Sequence, residues 1–283
     1  MPCFSASSAS EKHWSGNASF STFRTSARET AARVAAGTIA KLMLRQFQCE
    51  VLSHVIAVGK ARLSRAASWS EIQAVCENLD SPLRCVDAQT EAQMKSEVDL
   101  VHRAGNTVGG IFEVVAHNVV TGLGSHAQWD EKLDGRLAQA VMSIQAVKGV
   151  EIGAGIAAAT SYGSEVMDEI GYDPAAKQFT RASNRAGGLE GGITNGQDVI
   201  VRGYLKPIST LRTPLGTVDM VTKQPISAAY ERSDVCVVPA GGVAGEAMVS
   251  IVLAQAMVEK FGGDSLGEMR RNFDGYLGQL KEF

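Results

Sequence analysis

The sequence has few of the features that mark disulfide-bonded, metal-binding or secreted proteins. Its five cysteines are scattered and never spaced as Cys-x-x-Cys, and its five histidines include no His-x-x-x-His pair. This spacing argues against a disulfide framework and against a zinc site, so we predict no structural metal. No apolar signal stretch opens the sequence, and we therefore expect a cytoplasmic protein.

The sequence also lacks a charge excess and long apolar runs. It carries 27 Lys and Arg against 30 Asp and Glu, a net charge of −3, so we expect no nucleic-acid partner. No apolar run approaches the roughly 18 residues that a membrane-spanning helix needs, so we expect no membrane contact. With 45% hydrophobic and 20% charged residues over 283 positions, the composition is typical of a globular chain of one large or two small domains.

Residues 1–23 differ from the remainder of the chain. They are rich in serine, nearly free of aliphatic side chains and without a hydrophobic period. We interpret them as a disordered leader, or as an artefact of where the reading frame was started, and place the ordered domain at residues 24–283. Ser26 and Glu29 match a capping box, in which each side chain satisfies a free backbone N–H, so a helix is predicted to begin there.

Hydrophobic periodicity beyond this point predicts a mixture of helices and strands. The predicted helices lie at 27–47, 70–79, 88–104, 130–148, 243–260 and 264–281, and the predicted strands at 49–59, 106–120, 199–205 and 216–222. Gly109 and Gly110 indicate a bulge or a close backbone approach. Because strands rarely alternate one-for-one with helices, the pattern favours an α+β fold with antiparallel sheets over a doubly wound fold.

Three glycine-containing patterns suggest other functions. Residues 263–267 fit the G-x-S-x-G nucleophile elbow, but no histidine follows them, so a helix start is the better interpretation. Residues 150–158 resemble a strand followed by the dinucleotide fingerprint G-x-G-x-x-A, which leaves an NAD-dependent oxidoreductase as an alternative. The glycine cluster at 184–196 can aim backbone N–H groups at an anion, or can form a mobile hairpin.

Several long motifs, in order and in register, resemble the chorismate synthase family. They are TSARETAARVAAG (25–37), NRAGGLEGGITNGQ (184–197), KPIST (206–210) and RSDVCVVPAGGVAGEAMV (232–249). MSIQAVKGVEIG (142–153) and EKFGGDSLGE (259–268) are also similar to that family. The resemblance runs from about Arg24 to Tyr276, nearly all of the predicted ordered chain.

The resemblance implies helices sandwiched between antiparallel β-sheets and assembly as a homotetramer. It implies a lyase that converts 5-enolpyruvylshikimate 3-phosphate to chorismate and phosphate by anti 1,4-elimination, the last common step towards the aromatic amino acids in the shikimate pathway. This reaction needs reduced FMN but gives no net oxidation, and NADPH is implied at most as an indirect reductant of the flavin.

The resemblance also assigns roles to residues. It implies FMN contacts at Arg24, Thr25, Ser26, Gln145, Ala146, Gly191, Lys206, Pro207, Ile208, Ser209, Thr210 and Arg232. Arg28 and Arg232 become candidates for binding the anionic groups of the substrate, and Asp234 for proton handling near flavin N5. Arginine side chains and a helix N-terminus at 24–26 would suit phosphate and carboxylate groups.

The family has a long N-terminal portion that is absent from this sequence, so part of the N-terminal half of the fold is expected to be missing. In the family that portion carries Gly-Glu-Ser-His-Gly and Arg-Pro-Gly-His segments, whose histidines are general acids, and neither segment occurs here. A positioned acid contributes about 10² to 10⁴ in rate, so we expect crippled turnover. The alternative is a non-catalytic fragment that binds flavin or oligomerises.

Overall fold

A computed structural model describes residues 18–219, 221–230 and 233–282, without the side chains of 18–26. The helices are α1 (Ala18–Arg45), α2 (Trp69–Glu77), α3 (Ala88–Arg103), α4 (Leu133–Met142), α5 (Gly155–Ala159), α6 (Gly163–Val166), α7 (Val238–Phe261) and α8 (Leu266–Glu282). The strands are β1 (Glu50–Val58), β2 (Ala61–Arg62), β3 (Gly110–His117), β4 (Val147–Ile152), β5 (Ile170–Asp173), β6 (Gln178–Arg181), β7 (Leu189–Glu190), β8 (Ile193–Thr194), β9 (Val199–Leu205), β10 (Gly216–Val218) and β11 (Pro225–Ser227).

A five-stranded antiparallel sheet, in the order β2-β1-β3-β9-β4, forms the centre of the described residues. Its inner strands are rich in valine and isoleucine, whose branched side chains favour a pleated surface. β5–β6, β7–β8 and β10–β11 are separate two-stranded sheets. Helices packed on antiparallel sheets confirm the predicted α+β class.

Helix α7 packs between the sheet and α1, and small residues permit the close approach. A Cβ atom on Gly245 would lie 2.6 Å from Phe112 Cε2, and one on Gly37 of α1 would lie 2.4 Å from the Ala247 Cα atom. The buried Glu246 carboxylate accepts hydrogen bonds from Ser53 N at 3.0 Å and from Lys41 Nζ at 2.5 Å. These contacts join α7 to both β1 and α1.

The prediction that no apolar run is long enough to span a membrane is wrong for α7. This helix has 24 residues and an 18-residue window with a mean hydropathy of 1.5, which meets the length and composition of a spanning segment. However, 67% of that window is buried inside the fold, because the helix supplies the apolar layer between the sheet and α1. The apolar run is therefore explained by its place in the protein core.

Several predicted element boundaries also differ from the structure, including the strand predicted at 106–120, which is β3 (Gly110–His117), and the helix predicted at 243–260, which begins at Val238. Ser26 does not cap a helix, because α1 begins at Ala18 and no glycine or proline interrupts it before Ser26. The helix predicted at 130–148 ends at Met142, and Val147 begins β4 after a turn in which Ala146 has a φ of +69°. The strand predicted at 216–222 is confined to β10, because Asp219 caps a turn by accepting from the Thr222 backbone N–H at 2.6 Å.

The predicted boundary between a leader and a domain at residue 23 stays a prediction. Residues 1–17 lie outside the described residues, whereas 18–23 belong to α1, which continues across the boundary. The outer side of α1 carries exposed apolar side chains, with Ile39 72% and Leu42 55% accessible to solvent.

Candidate functional site

The segment Thr107–Gly109, just before β3, holds two candidate segments in place. Thr107 Oγ1 donates to the backbone oxygen of Ile208 at 2.6 Å, and Val108 N donates to the backbone oxygen of Val235 at 3.0 Å. At Gly109 a Cβ atom would lie 2.3 Å from the Leu205 oxygen, so a larger residue would disturb this approach. The end of β9 and the segment that contains Asp234 are therefore brought to one end of the sheet.

A second junction joins the end of β9 to α1. Lys206 N donates to the backbone oxygen of Ala146 at 2.9 Å. The neighbouring Gln145 amide donates to the Glu29 carboxylate and accepts from Thr30 Oγ1 at 3.2 Å, and both of these partners lie on α1. We call the Gln145–Ala146 turn and the segment Lys206–Thr210 the cradle.

The cradle region carries cations that are not neutralised within the described chain. Arg28 and Lys206 are exposed, and neither forms an ion pair with any carboxylate that the structure describes. The nearest acceptor of Lys206 Nζ is the Pro207 oxygen at 3.4 Å. Such cations attract phosphate and carboxylate groups, which is the chemistry that an anionic cofactor and substrate require.

The cradle residues differ in exposure. Lys206, Pro207 and Ser209 are exposed, whereas Ile208 and Thr210 are half-buried. Asp234 is also exposed, and it lies close to Thr107–Val108 because the Val235 oxygen and Cys236 are bound there. Burial raises the pKa of the Cys236 thiol, so this cysteine stays protonated beside the site at neutral pH.

Some predicted site residues are not brought to the cradle by the described structure. Arg24, Thr25 and Ser26 lie within α1 and not at its N-terminus, and their side chains are outside the description. Arg232 lies outside the described residues altogether. Gly191 lies beside Gly192, whose oxygen accepts from Leu133 N at 2.9 Å at the start of α4.

The position of Gly191 separates it from Gln145. The Gln145–Ala146 turn follows the other end of α4, a helix of 10 residues. At about 1.5 Å per residue, the two ends of such a helix are about 15 Å apart. Within this chain Gly191 is therefore remote from the Gln145–Ala146 turn.

In the glycine cluster at 184–196, two backbone N–H groups donate to a carboxylate of the protein itself and not to a bound anion. The Asp168 carboxylate accepts from Arg185 N at 2.9 Å and from Ala186 N at 2.8 Å. Burial raises the pKa of Asp168, but these N–H groups and Ser183 outweigh burial and hold it below its ordinary value. These two N–H groups therefore have a structural role, because they hold Asp168.

The alternative of a dinucleotide site at 150–158 gains no support from the structure. The helix after β4 is α5, which has 5 residues. The dinucleotide fingerprint needs a full helix whose N-terminus holds the pyrophosphate. The geometry here does not provide one.

A buried ionic row across the face of the sheet that points away from α7 was not predicted from the sequence. His54, Glu113, Arg202 and Glu151 lie directly opposite one another on β1, β3, β9 and β4. Arg202 Nε donates to Glu113 at 2.6 Å, its Nη1 donates to Glu151, and the Tyr204 hydroxyl also donates to Glu151. The available signal was a charged residue in the middle of two apolar strands, Glu113 in β3 and Arg202 in β9.

The row has distinct electrostatics because it is buried. Burial raises the pKa of Glu113, but the hydrogen bonds and charges of His54 and Arg202 outweigh it and hold that pKa below its ordinary value. Burial first, and then the Glu151 carboxylate, raise the pKa of Tyr204 to about 12. Tyr204 is therefore a permanent hydrogen-bond donor at neutral pH.

Comparison with known proteins places the chain among chorismate synthases. A family model described as chorismate synthase matches residues 2–258. The chorismate synthase of Solibacter usitatus is 65% identical over 260 residues, which cover 92% of this chain and 67% of that protein. The one from Koribacter versatilis is 60% identical over 265 residues, again covering 92% and 67%.

A solved crystal structure of chorismate synthase is similar in fold as well as in sequence. It superposes with a TM-score of 0.78 at 42% identity, and the match covers 91% of this chain and 71% of that chain. This chain thus spans about two thirds of the length of its curated relatives. From the extent of the family match and these identities, the chain belongs to the chorismate synthase family.

Proposed function

We propose that the chain binds reduced FMN and 5-enolpyruvylshikimate 3-phosphate at the cradle and acts in the anti 1,4-elimination that yields chorismate and phosphate. The observation that carries this proposal is the convergence of the cradle and the Asp234 segment on Thr107–Gly109. These segments are distant in sequence, and their junction places the exposed cation of Lys206 at one end of the sheet. The family assignment supports the same reaction.

The residues of the cradle fit an FMN phosphate. Lys206 is an exposed cation without an ion-pair partner among the described carboxylates, and its backbone N–H holds the Gln145–Ala146 turn beside it through the Ala146 oxygen at 2.9 Å. In this proposal Lys206–Thr210 and Gln145–Ala146 bind the flavin, together with Arg24–Ser26 and Arg232. When bound, reduced FMN supplies transient electron density to the breaking carbon–oxygen bond and regains it, and NADPH acts only as an indirect reductant.

The remaining candidates act on the substrate and on a proton. Arg28 and Arg232 bind the anionic groups of the substrate, because guanidinium groups pair with phosphate and carboxylate in two parallel hydrogen bonds. Asp234 takes part in proton handling near flavin N5, and the bond between Val108 N and the Val235 oxygen fixes its segment. Gly191 contributes to the flavin site only if a neighbouring copy brings it there.

We also propose a cytoplasmic homotetramer. The exposed apolar side chains of Ile39 and Leu42 on α1 support a buried assembly surface, since large exposed apolar patches mark interaction sites. Size-exclusion chromatography with light scattering tests the tetramer. A monomer at micromolar concentration would contradict it.

A second candidate function is a flavin-binding protein without turnover. Three of the four described histidines favour it: His54 is bonded to Glu113, His117 to Asp198, and the exposed His102 to Arg212 at 3.1 Å. The fourth, His126, is exposed in the segment before α4. None of the three bonded histidines lies free at the cradle. A positioned acid contributes about 10² to 10⁴ in rate, so a cradle without one is expected to turn over slowly.

Anaerobic turnover separates the two candidates. The full chain is incubated with 5-enolpyruvylshikimate 3-phosphate and chemically reduced FMN, and chorismate formation is followed by absorbance. The first candidate predicts chorismate formation that requires reduced FMN and falls in Lys206→Gln. FMN binding without chorismate formation supports the second candidate, and absence of FMN binding contradicts both.

A further inference from the structure

We propose that Tyr204, acting through Glu151, is a positioning residue for the cradle. The inference rests on the function proposed above, because its readout is FMN binding. Tyr204 lies on β9 two positions before Lys206, and Glu151 lies on β4, the strand that begins directly after Ala146. The two strands therefore carry the two halves of the cradle.

The backbone pairing of these strands is irregular where the cradle begins. Leu205 pairs with Val147 and Tyr204 with Gly149, so Lys148 is an extra residue without a partner on β9. An extra residue disrupts the ladder and bends the strand. Beyond this bulge, the hydrogen bond between Lys206 N and the Ala146 oxygen at 2.9 Å joins the cradle halves. The backbone pairing next to the cradle is therefore interrupted at Lys148 and resumes at this single bond.

Two side chains of β9, Arg202 and Tyr204, compensate for this irregularity because both donate to the Glu151 carboxylate of β4. Glu151 is 7% exposed and accepts from both Arg202 and the Tyr204 hydroxyl. Arg202 Nη1 also donates to the Gly153 oxygen at 2.9 Å. The register of β4 against β9 is consequently fixed by contacts on the regular side of the bulge.

The ring of Tyr204 adds a packing contact opposite the bulge. A Cβ atom on Gly149 would lie 3.5 Å from Tyr204 Cβ and 3.6 Å from its Cγ and Cδ2 atoms, so the ring covers the glycine at ordinary contact distance. Covering a strand glycine with an aromatic ring pins the register of paired strands. The hydroxyl and the ring together hold Gly149 and Glu151 relative to β9.

Tyr204 acts by position and not by proton transfer. Its hydroxyl is protonated at neutral pH, as that of an unperturbed tyrosine is, and the rise of its pKa to about 12 moves deprotonation still further from neutral pH. It donates to Glu151, and Lys206 follows Tyr204 by two positions, just past the end of β9 at Leu205. Loss of the hydroxyl is therefore expected to shift the cradle halves relative to each other without changing the charge of the site.

The test compares Tyr204→Phe with a matched control, Tyr276→Phe. Tyr276 also donates its hydroxyl, to the Thr121 oxygen at 3.0 Å, but it lies on α8 away from the cradle. The dissociation constant for FMN is measured by flavin fluorescence on the full chain, well below the Tm of each variant. Under these conditions a purely stabilising role changes the Tm but not the dissociation constant.

We expect Tyr204→Phe to weaken FMN binding about tenfold, because a hydrogen bond to a charged group is lost beside the cradle. The control Tyr276→Phe is expected to bind FMN as the wild type does. If Tyr204→Phe does not fold, Glu151→Gln removes the charge from the same contact and is expected to weaken binding in the same direction.

The outcomes separate this inference from the proposed function. Equal FMN binding by wild type and Tyr204→Phe, or by wild type and Glu151→Gln, overturns the positioning role and leaves the proposed function standing. Equal weakening by Tyr204→Phe and Tyr276→Phe also overturns it, since the effect is then not specific to the cradle. Failure of the wild type to bind FMN contradicts the proposed function itself.

Discussion

Replacement of Arg202 by methionine is the most severe test of the ionic row. Arg202 donates to two buried carboxylates, Glu113 (5% exposed) and Glu151 (7% exposed). Methionine retains much of the apolar stem but none of the donors, so two buried negative charges lose their shared cation. Breaking a buried ion pair in this way costs about 3–5 kcal/mol. That is a large share of the about 5–15 kcal/mol that keeps a protein folded.

The pH dependence of this variant follows from Glu113. Burial raises the pKa of Glu113, but His54 and Arg202 hold it below its ordinary value. The resulting stabilisation is present above the unfolded pKa and is lost as the pH falls through the lowered folded pKa. Without Arg202, burial is opposed by His54 alone and the pKa of Glu113 rises. The difference in unfolding free energy between wild type and variant is therefore predicted to shrink from about pH 7 to about pH 5.

Urea unfolding followed by circular dichroism measures both effects. Arg65→Met is the matched control, because Arg65 also makes two hydrogen bonds to one carboxylate, Glu71, but the two side chains are 50% and 36% exposed. Exposed pairs contribute little, so this control is expected to unfold at nearly the wild-type urea concentration. Equal destabilisation by both substitutions, or a difference that grows towards acid, would refute the reasoning about the buried row.

Further predictions concern the turn, the sheet and the cradle. Ala146→Gly is expected to raise the unfolding free energy by up to about 1 kcal/mol, because φ is +69° there, and a urea midpoint below wild type would contradict this. Gly110→Ala is expected to lower the free energy of unfolding by about 1–3 kcal/mol, because the added Cβ atom would lie 2.1 Å from the Ala57 oxygen. Gly216→Ala is the control in the same urea measurement, because a Cβ atom there has no other atom within 4 Å. Lys206→Gln is expected to weaken FMN binding about tenfold and to reduce its salt dependence, as measured by fluorescence titration at several ionic strengths; unchanged binding would remove Lys206 from the cradle.

The sequence predicts elements well where one periodicity dominates. Strand β9 spans Val199–Leu205 as predicted, because its buried and half-buried residues alternate along the whole strand. The helix predicted at 130–148 runs too far, because Val147 suits both the helical pattern and the strand that begins there. The capping box at Ser26 is a local signal that the longer helix α1 overrides.

The residues of the candidate site could be predicted from the family resemblance. The contacts that hold these residues together could be found only in the structure. The sequence does not reveal that Thr107 holds Ile208, since the two residues are joined by folding alone. The ionic row escaped prediction for a related reason. Glu113 and Arg202 become partners only when the register of β3 against β9 is known, and one residue of slip would place them on opposite faces.

Anaerobic titration of the full chain with chemically reduced FMN, followed by fluorescence, tests the central claim most directly. The account predicts saturable binding that is weakened by salt, tightened by 5-enolpyruvylshikimate 3-phosphate and impaired in Lys206→Gln. Absence of saturable binding, or binding that is unaffected by salt and by the Lys206 substitution, would contradict the claim that the cradle holds an anionic flavin.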